Sequence, residues 1–312
     1  MNPINWLESI VAGILTFFHA GLSQIFPADS GWAWGLSIVG LVILIRILLI
    51  PLFVKQIKSQ RNMQLIQPQV KEIQKKYAGD RERTSQELMK LYKETGTNPL
   101  SSCLPILAQA PIFFALFQVL QGIAMDKPKG GMSESLMASA QHATLFGAPF
   151  YATFTHRMAV LNDKFNTNLD PRDTAVVTLI LIVLMTATTF LTQRQLIVKN
   201  SAPDNPMVQQ QKILLYVFPF IFALSGINFP VGVLLYWLTT NLWTMGQQFY
   251  VIRNNPQPGT PAQAAYDQRM AAKAEKKRNK AGTAATEAEA APESTAKTVR
   301  NQPSRKSKRK RN

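Results

Sequence analysis

Along this chain, long apolar runs alternate with segments that hold nearly all of its charge. Runs of about 20 apolar residues match the hydrocarbon thickness of a bilayer, so the pattern predicts helices that use lipid as solvent. Five spans are expected, at residues 32–54, 99–125, 172–195, 213–229 and 230–252. The last two form one nearly continuous stretch that Asn228, Phe229 and Pro230 interrupt. Proline cannot continue the helix before it, which makes a tight re-entry into the membrane the expected geometry there.

The connecting segments have patterns of their own. Within residues 1–31, Leu7, Ile10, Val11, Ile14, Leu15, Phe18, Leu22 and Ile25 recur at helical spacing among Asn5, Glu8, His19 and Gln24. This fits an amphipathic helix lying in the headgroup region. A sixth span is the alternative, and it would leave every later segment unchanged. In residues 55–98, Met63, Ile66, Val70, Ile73 and Tyr77 form one stripe, and Leu88, Leu91 and Tyr92 form a second after the Gly79-Asp80 break. A short antiparallel helical hairpin with a basic face is expected, either a plain connector or a landing surface for a client. Residues 253–312 turn to Ala, Pro, Gln, Thr, Glu and Lys without apolar periodicity, and this tail is expected to be disordered.

Charge orients the spans, because cytoplasmic loops are enriched in Lys and Arg. Lys55 to Lys93 carries ten of them, Arg194 to Lys212 three and Arg253 to Arg311 fifteen, within a formal net charge of +16. The segment before the first span carries none, and the five between Asp126 and Arg172 are offset by Asp126, Glu134, Asp163 and Asp170. The N-terminus and residues 126–171 are therefore expected outside, with residues 196–212 and the C-terminus in the cytoplasm. The stretch Met1 to Ala28 lacks the basic start of a signal peptide, so the mature chain is expected to begin near Met1. At the far end Arg305, Lys306, Lys308, Arg309, Lys310 and Arg311 suit phosphate, whether of ribosomal RNA or of anionic lipid. The plainer role is a solubilising tail that enforces topology.

Candidate chemistry narrows the function by what is missing. Cys103 is the sole cysteine, and His19, His142 and His156 sit in separate segments without ligand spacing. The sequence holds no HExxH, no Gly-x-Ser-x-Gly elbow and no Gly-rich phosphate loop. No Asp, Glu or His occupies the interior of a span, so intramembrane proteolysis has no machinery. Neither an enzyme nor a cofactor is expected.

Arg46, in the run LVILIRILLIPL, is the exception to the apolar spans. A charge there costs a few kcal/mol (roughly 3) even on the lenient insertion scale, so it must face water or a partner. It lies nine residues from Lys55, about 13 Å from the cytoplasmic end of its span, and Gln109 lies about 12 Å from the cytoplasmic end of the next. The two are level. Trp237, Asn241, Thr244 and Gln248 share one face of the last span, and Thr186, Thr189 and Gln193 share one face of the third. Interhelical hydrogen bonding alone would explain the threonines. It does not explain Arg46, and a hydrated recess open to the cytoplasm does.

Three runs carry a family resemblance: IRILLIPLFVKQIKSQRNMQLIQP (Ile45 to Pro68), NPLSSCLPILAQAPIFFALFQVL (Asn98 to Leu120) and FPVGVLLYWLTTNLWTMGQQ (Phe229 to Gln248). In order, spacing and the basic hairpin between them they resemble the YidC/Oxa-type membrane protein insertases, over roughly Trp6 to Arg253. The resemblance implies an all-α polytopic fold of five spans around a hydrophilic groove, open to cytoplasm and lipid and closed to the outside. It places the groove arginine at Arg46, the glutamine of the LAQAP-type run at Gln109, and an aromatic pair at Tyr236 and Trp237. The clients would be nascent membrane proteins, handled alone or with the Sec translocon, with a ribosome contact through the basic tail. Against that resemblance the chain is expected to lack the large extracytoplasmic domain of Gram-negative relatives, with the span before it, and the lipobox cysteine of some Gram-positive ones. Ser101-Ser102 and the loop HATLFGAPF look like the actinobacterial branch. A solute transporter or an assembly scaffold are the rival readings; a transporter usually shows repeated halves, and none is evident.

Overall fold

The computed structural model describes residues 5–97, 104–155, 158–165, 167–195, 217, 221, 223–256 and 259–289. The chain divides into two compact units, Met1–Ala264 and Ala265–Asn312. In order, the helices are α1 (Asn5–Leu22), α2 (Gly31–Leu48), α3 (Ile50–Leu65), α4 (Gln67–Lys76), α5 (Arg81–Glu94), α6 (Leu104–Met125), α7 (Glu134–His142), α8 (Met158–Phe165), α9 (Pro171–Arg194), α10 (Val231–Asn254) and α11 (Pro261–Glu289). Between α7 and α8 lies an antiparallel hairpin of β1 (Thr144–Leu145) and β2 (Ala148–Pro149).

Three described helices are long and apolar enough to cross a membrane: α2, α6 over Leu107–Met125, and α9. Helix α10 matches α9 in length at 24 residues but carries Thr239, Thr240, Asn241, Thr244, Gln247 and Gln248 along its middle and beyond. Of the span expected at 213–229, residues 213–216, 218–220 and 222 lie outside the described ones.

Two expectations change. The span at 32–54 is broken: α2 ends at Leu48, Leu49 turns, and α3 starts at Ile50 and runs on to Leu65. Pro51 is the reason, since it has no N–H to offer the Ile47 carbonyl and its ring crowds the preceding turn. Arg46 thus sits in the last turn of α2, beside a helix break. The tail is not structureless up to Glu289, because α11 is a helix of 29 residues. Thr260 caps it, accepting from the Gln263 N–H (3.3 Å), and Pro261 opens it with a preset φ. Alanine with Lys, Glu and Arg forms helix through local propensity, without the apolar stripe a core would demand. Its side chains up to Asn279 are mostly exposed.

Four helices enclose the main core. Val11 and Leu15 of α1, Ile38, Leu41 and Val42 of α2, Leu116, Val119 and Leu120 of α6, and Val233 and Tyr236 of α10 are all buried within it. A second cluster joins α9 to α10 through Val177, Leu181, Ile182, Met185, Val231 and Leu234. Between helices in lipid, such contacts hold by close van der Waals packing rather than by removal from water.

The bundle is plugged where α2, α9 and α10 begin and α6 ends. Pro230 offers no side-chain cap to α10, so loop carbonyls serve: Val231 N–H donates to Ala152 O (2.9 Å) and Gly232 N–H to Phe150 O (2.8 Å). Ala143, Phe150, Tyr151 and Ala152 fill this end and are buried. Helix α1 crosses the same end. His19 stacks on Trp34 at 4.4 Å and donates through Nε2 to Ala28 O (2.7 Å), while Glu8 lies against Gly130 at the other end of the helix. A Cβ at Gly130, whose φ is +65°, would come within 2.4 Å of Glu8 O, so glycine is what permits the approach.

At the opposite end, Ile66 and Val70 are buried near the α3–α4 junction, and α4 packs on α5. Asp80 caps α5, accepting from the Arg83 N–H at 3.0 Å. Burial raises the pKa of Tyr92 on α5.

Candidate functional site

Helix α10 organises the site, because two of its faces carry polar groups to different neighbours. Tyr236, Thr240 and Thr244 follow one another at i and i+4 and look toward α2 and α6. Gln109 of α6 donates through Nε2 to Tyr236 Oη (2.9 Å) and to Thr240 Oγ1 (3.5 Å). Arg46 of α2 donates through Nη2 to Thr240 O at 3.5 Å. That carbonyl also accepts from Thr244 Oγ1 at 2.8 Å, so the arginine has only a long share of an occupied acceptor.

The rest of the guanidinium is poorly served. Arg46 is 3% exposed, and its Nε has no hydrogen-bond partner among the described residues. Its Cζ lies 5.2 Å from the ring centre of Phe53, one turn beyond the break at Leu49. That aromatic face offers a cation some compensation but no acceptor. Phe53 in turn lines a cavity of about 730 Å³ between the start of α3 and the end of α10, with Ile50, Val54, Leu242, Trp243 and Gly246 among its walls. A buried cation short of acceptors thus adjoins an apolar cleft.

The other polar face of α10 meets α9. Asn241 Nδ2 donates to Thr189 Oγ1 (2.8 Å), to Met185 O (3.2 Å) and to Thr188 Oγ1 (3.5 Å). Asn241 and Thr189, expected to line the recess, therefore tie two helices together. Trp237, also expected there, packs its ring on Phe113 (5.6 Å) and Phe229 (6.1 Å). Thr186 is near by sequence, but its buried Oγ1 has no partner among the described residues. No hydrogen bond among the described residues joins Gln193 or Gln248 to either group. The basic cluster from Arg305 to Arg311 lies outside the described residues.

Two members of the site escaped the sequence reading. Thr240 links Gln109 to Arg46, and its signal was its place four residues after Tyr236. Phe53 lies seven residues after Arg46 but across the break at Leu49, so helical spacing alone does not set its place against the guanidinium. Among the described residues no cluster of three metal-ligating side chains occurs.

Residues 25–258 match the 60Kd inner membrane protein family. A membrane protein insertase YidC of Streptomyces avermitilis is 58% identical over 270 residues, covering 86% of this chain and 61% of its own length. The YidC insertase of Tropheryma whipplei strain Twist is 38% identical over 268 residues, covering 83% of this chain and 86% of its own. This chain belongs to the YidC family. It spans about three fifths of the length of the Streptomyces YidC. The YidC of Mycobacterium tuberculosis strain H37Rv is 34% identical over 270 residues, 80% of this chain and 70% of its own. A crystal structure of an active YidC insertase with its first transmembrane domain resolved aligns at a TM-score of 0.48 and 26% identity, covering 78% of this chain and 47% of that one. These relatives are named membrane protein insertases.

Proposed function

We propose that the chain inserts other proteins into the bacterial plasma membrane, with its N-terminus outside and its C-terminus in the cytoplasm. A client would present its hydrophilic tail from the cytoplasm to the recess at Arg46, Gln109, Tyr236 and Thr240, while its apolar segment passes into lipid. The observation that carries this reading is the state of Arg46, a buried cation that has, among the described residues, one long hydrogen bond and an unpartnered Nε, beside an adjoining cleft. Such a group is held ready for an acceptor that arrives from elsewhere. An acidic residue of the tail meets that need, and the attraction is worth about 4 kcal/mol at 4 Å and an effective dielectric of 20, before desolvation. Partition of about 20 apolar residues into lipid supplies the net driving force, so no nucleotide is required.

In this reading α1 lies in the outer interface, the α4–α5 hairpin receives clients, and the basic tail meets ribosome or anionic lipid. Cooperation with the Sec translocon belongs to the same proposal. The test is reconstitution in vesicles with a single-span client that has an acidic exported tail. Arg46→Ala is expected to lower insertion by about tenfold or more, equivalent to about 1.4 kcal/mol or more. Arg46→Lys is expected to keep most of it. Equal insertion by the Ala variant would remove the electrostatic step.

A further inference from the structure

The hairpin between α7 and α8 has an unusual tip. Thr144 pairs with Pro149 and Leu145 with Ala148, which leaves Phe146-Gly147 as a two-residue turn. Both have positive φ, +50° and +84°, the signature of a type I′ turn. Asn, Asp or Gly normally takes the first position, because a side chain with a bulky Cβ substituent crowds its own backbone there. Phe146 occupies it nonetheless, and it is 74% exposed, so no packing inside the fold compensates for the conformation. A largely exposed aromatic residue held in a disfavoured backbone region points to something outside the chain.

Its surroundings say what that is. The hairpin is fastened to the starts of two membrane-crossing helices. A Cβ on Gly31, the first residue of α2, would collide with Thr144 O, and one on Gly147 would come within 2.5 Å of Asp173 Oδ2 in the first turn of α9. The tip is therefore level with the ends of two spans, the depth at which hydrocarbon gives way to headgroups. Trp32, the second residue of α2, is 57% exposed and meets Phe146 edge to face at 6.4 Å. Ile25, in the turn before α2, is 76% exposed. Aromatic side chains concentrate at this depth because it takes an apolar body and tolerates a polar edge.

We propose that Phe146 and Trp32 form a lipid-interface anchor: the hairpin tip dips into the headgroup region and pins the plugged end of the bundle at a fixed depth. The anchor rests on α2 and α9 being spans and not on the insertase reading. The purified full chain carrying Cys103→Ser, in protein-free phosphatidylcholine–phosphatidylglycerol vesicles, is spin-labelled through Phe146→Cys, Trp32→Cys or, as a water-exposed reference, Glu134→Cys. The quantity read is the ratio of nitroxide collisions with oxygen to collisions with a water-soluble nickel chelate. It is expected to be severalfold higher at positions 146 and 32 than at 134. A ratio at 146 equal to that at 134 overturns the anchor. A second variant separates anchoring from folding: Phe146→Asn suits the turn, so the hairpin keeps its shape while losing its ring. With the label at Trp32→Cys, this change is expected to bring the ratio down toward the reference. An unchanged ratio would show that Phe146 does not set the depth, and the proposal would fail.

Discussion

Two polar clusters flank α10, and they differ in one respect. On the α9 side, Asn241 finds acceptors in Thr189 and in the Met185 carbonyl, and the bonds join two helices. On the α2 side, among the described residues, Arg46 makes one bond of 3.5 Å, faces an aromatic ring and leaves Nε unpartnered. The residue types overlap, since threonine and an amide appear in both. Saturation separates them: polar groups that satisfy one another stabilise a helix pair, whereas a group left short is available to a ligand and costs the fold something while it waits.

Substitution by leucine on either side should therefore move stability and activity in opposite directions. Arg46→Leu removes a buried charge with few partners and is expected to raise the thermal midpoint in detergent while abolishing insertion of acidic-tailed clients. Relief of an unpaired charge at this depth is worth about 2–3 kcal/mol on the insertion scale. Asn241→Leu breaks the satisfied cluster and is expected to lower stability by about 1 kcal/mol, with insertion per folded molecule kept. If Arg46→Leu destabilises the chain as Asn241→Leu does, the arginine is glue, and the contrast between the two sides collapses.

A subtler probe lies between these. Among the described residues Phe53 is the aromatic face against the guanidinium, and a cation–π contact is worth about 0.5–1 kcal/mol where water reaches the cation, as it does in an open recess. Phe53→Leu keeps the cleft apolar and removes the quadrupole. Insertion of an acidic-tailed client is expected to fall by about two- to fivefold, in line with that energy. A client with a neutral tail should be unaffected, and a loss shared by both would assign Phe53 to the cleft wall instead of to Arg46.

Much of this contrast was readable before any coordinates. Arg46 stood out because a charge in a run of aliphatic residues has no bland explanation, and Gln109 followed from depth alone. Helix α9 runs from Pro171 to Arg194, with Asp170 as its cap and Pro171 at its first position, signals that the sequence carries. The assignment of faces on α10 was harder. Trp237, Asn241, Thr244 and Gln248 make a polar stripe, but Tyr236, Thr240 and Thr244 make another one residue away. Which stripe meets Arg46 depends on how the helix is rotated in the bundle, a tertiary fact that periodicity does not contain. The break at Leu49 was signalled by Pro51 and masked by the unbroken hydropathy around it. Helix α11 was hidden for the converse reason, because a search for apolar stripes passes over a helix formed by the local propensity of alanine with Lys, Glu and Arg. The hairpin at Phe146 has strands of two residues each, too short for alternation to register.

The plugged end offers the smallest effect and the cleanest sign. Tyr151 is 1% exposed, stacks on Phe165 at 5.4 Å, and its hydroxyl has no hydrogen-bond partner among the described residues. Desolvation pushes its pKa up to about 12 from an ordinary value near 10. The folded state thus holds the proton more tightly than the unfolded one. The neutral ring contributes its full stability below about pH 10 and loses it as pH rises toward 12, because only the unfolded chain can ionise freely in that window. Tyr151→Phe removes both the unpaired hydroxyl and the titration. At pH 8 it is expected to be neutral or stabilising by about 1 kcal/mol, since no hydrogen bond is lost. Between pH 10 and 12 its advantage over the parent chain should grow. Thermal midpoints of the two proteins in the same detergent, compared at pH 8, 10 and 11, read the difference directly. A constant gap would mean that the hydroxyl reaches water in solution, and that this end of the bundle is less tightly closed than the packing of Ala143, Phe150 and Ala152 implies.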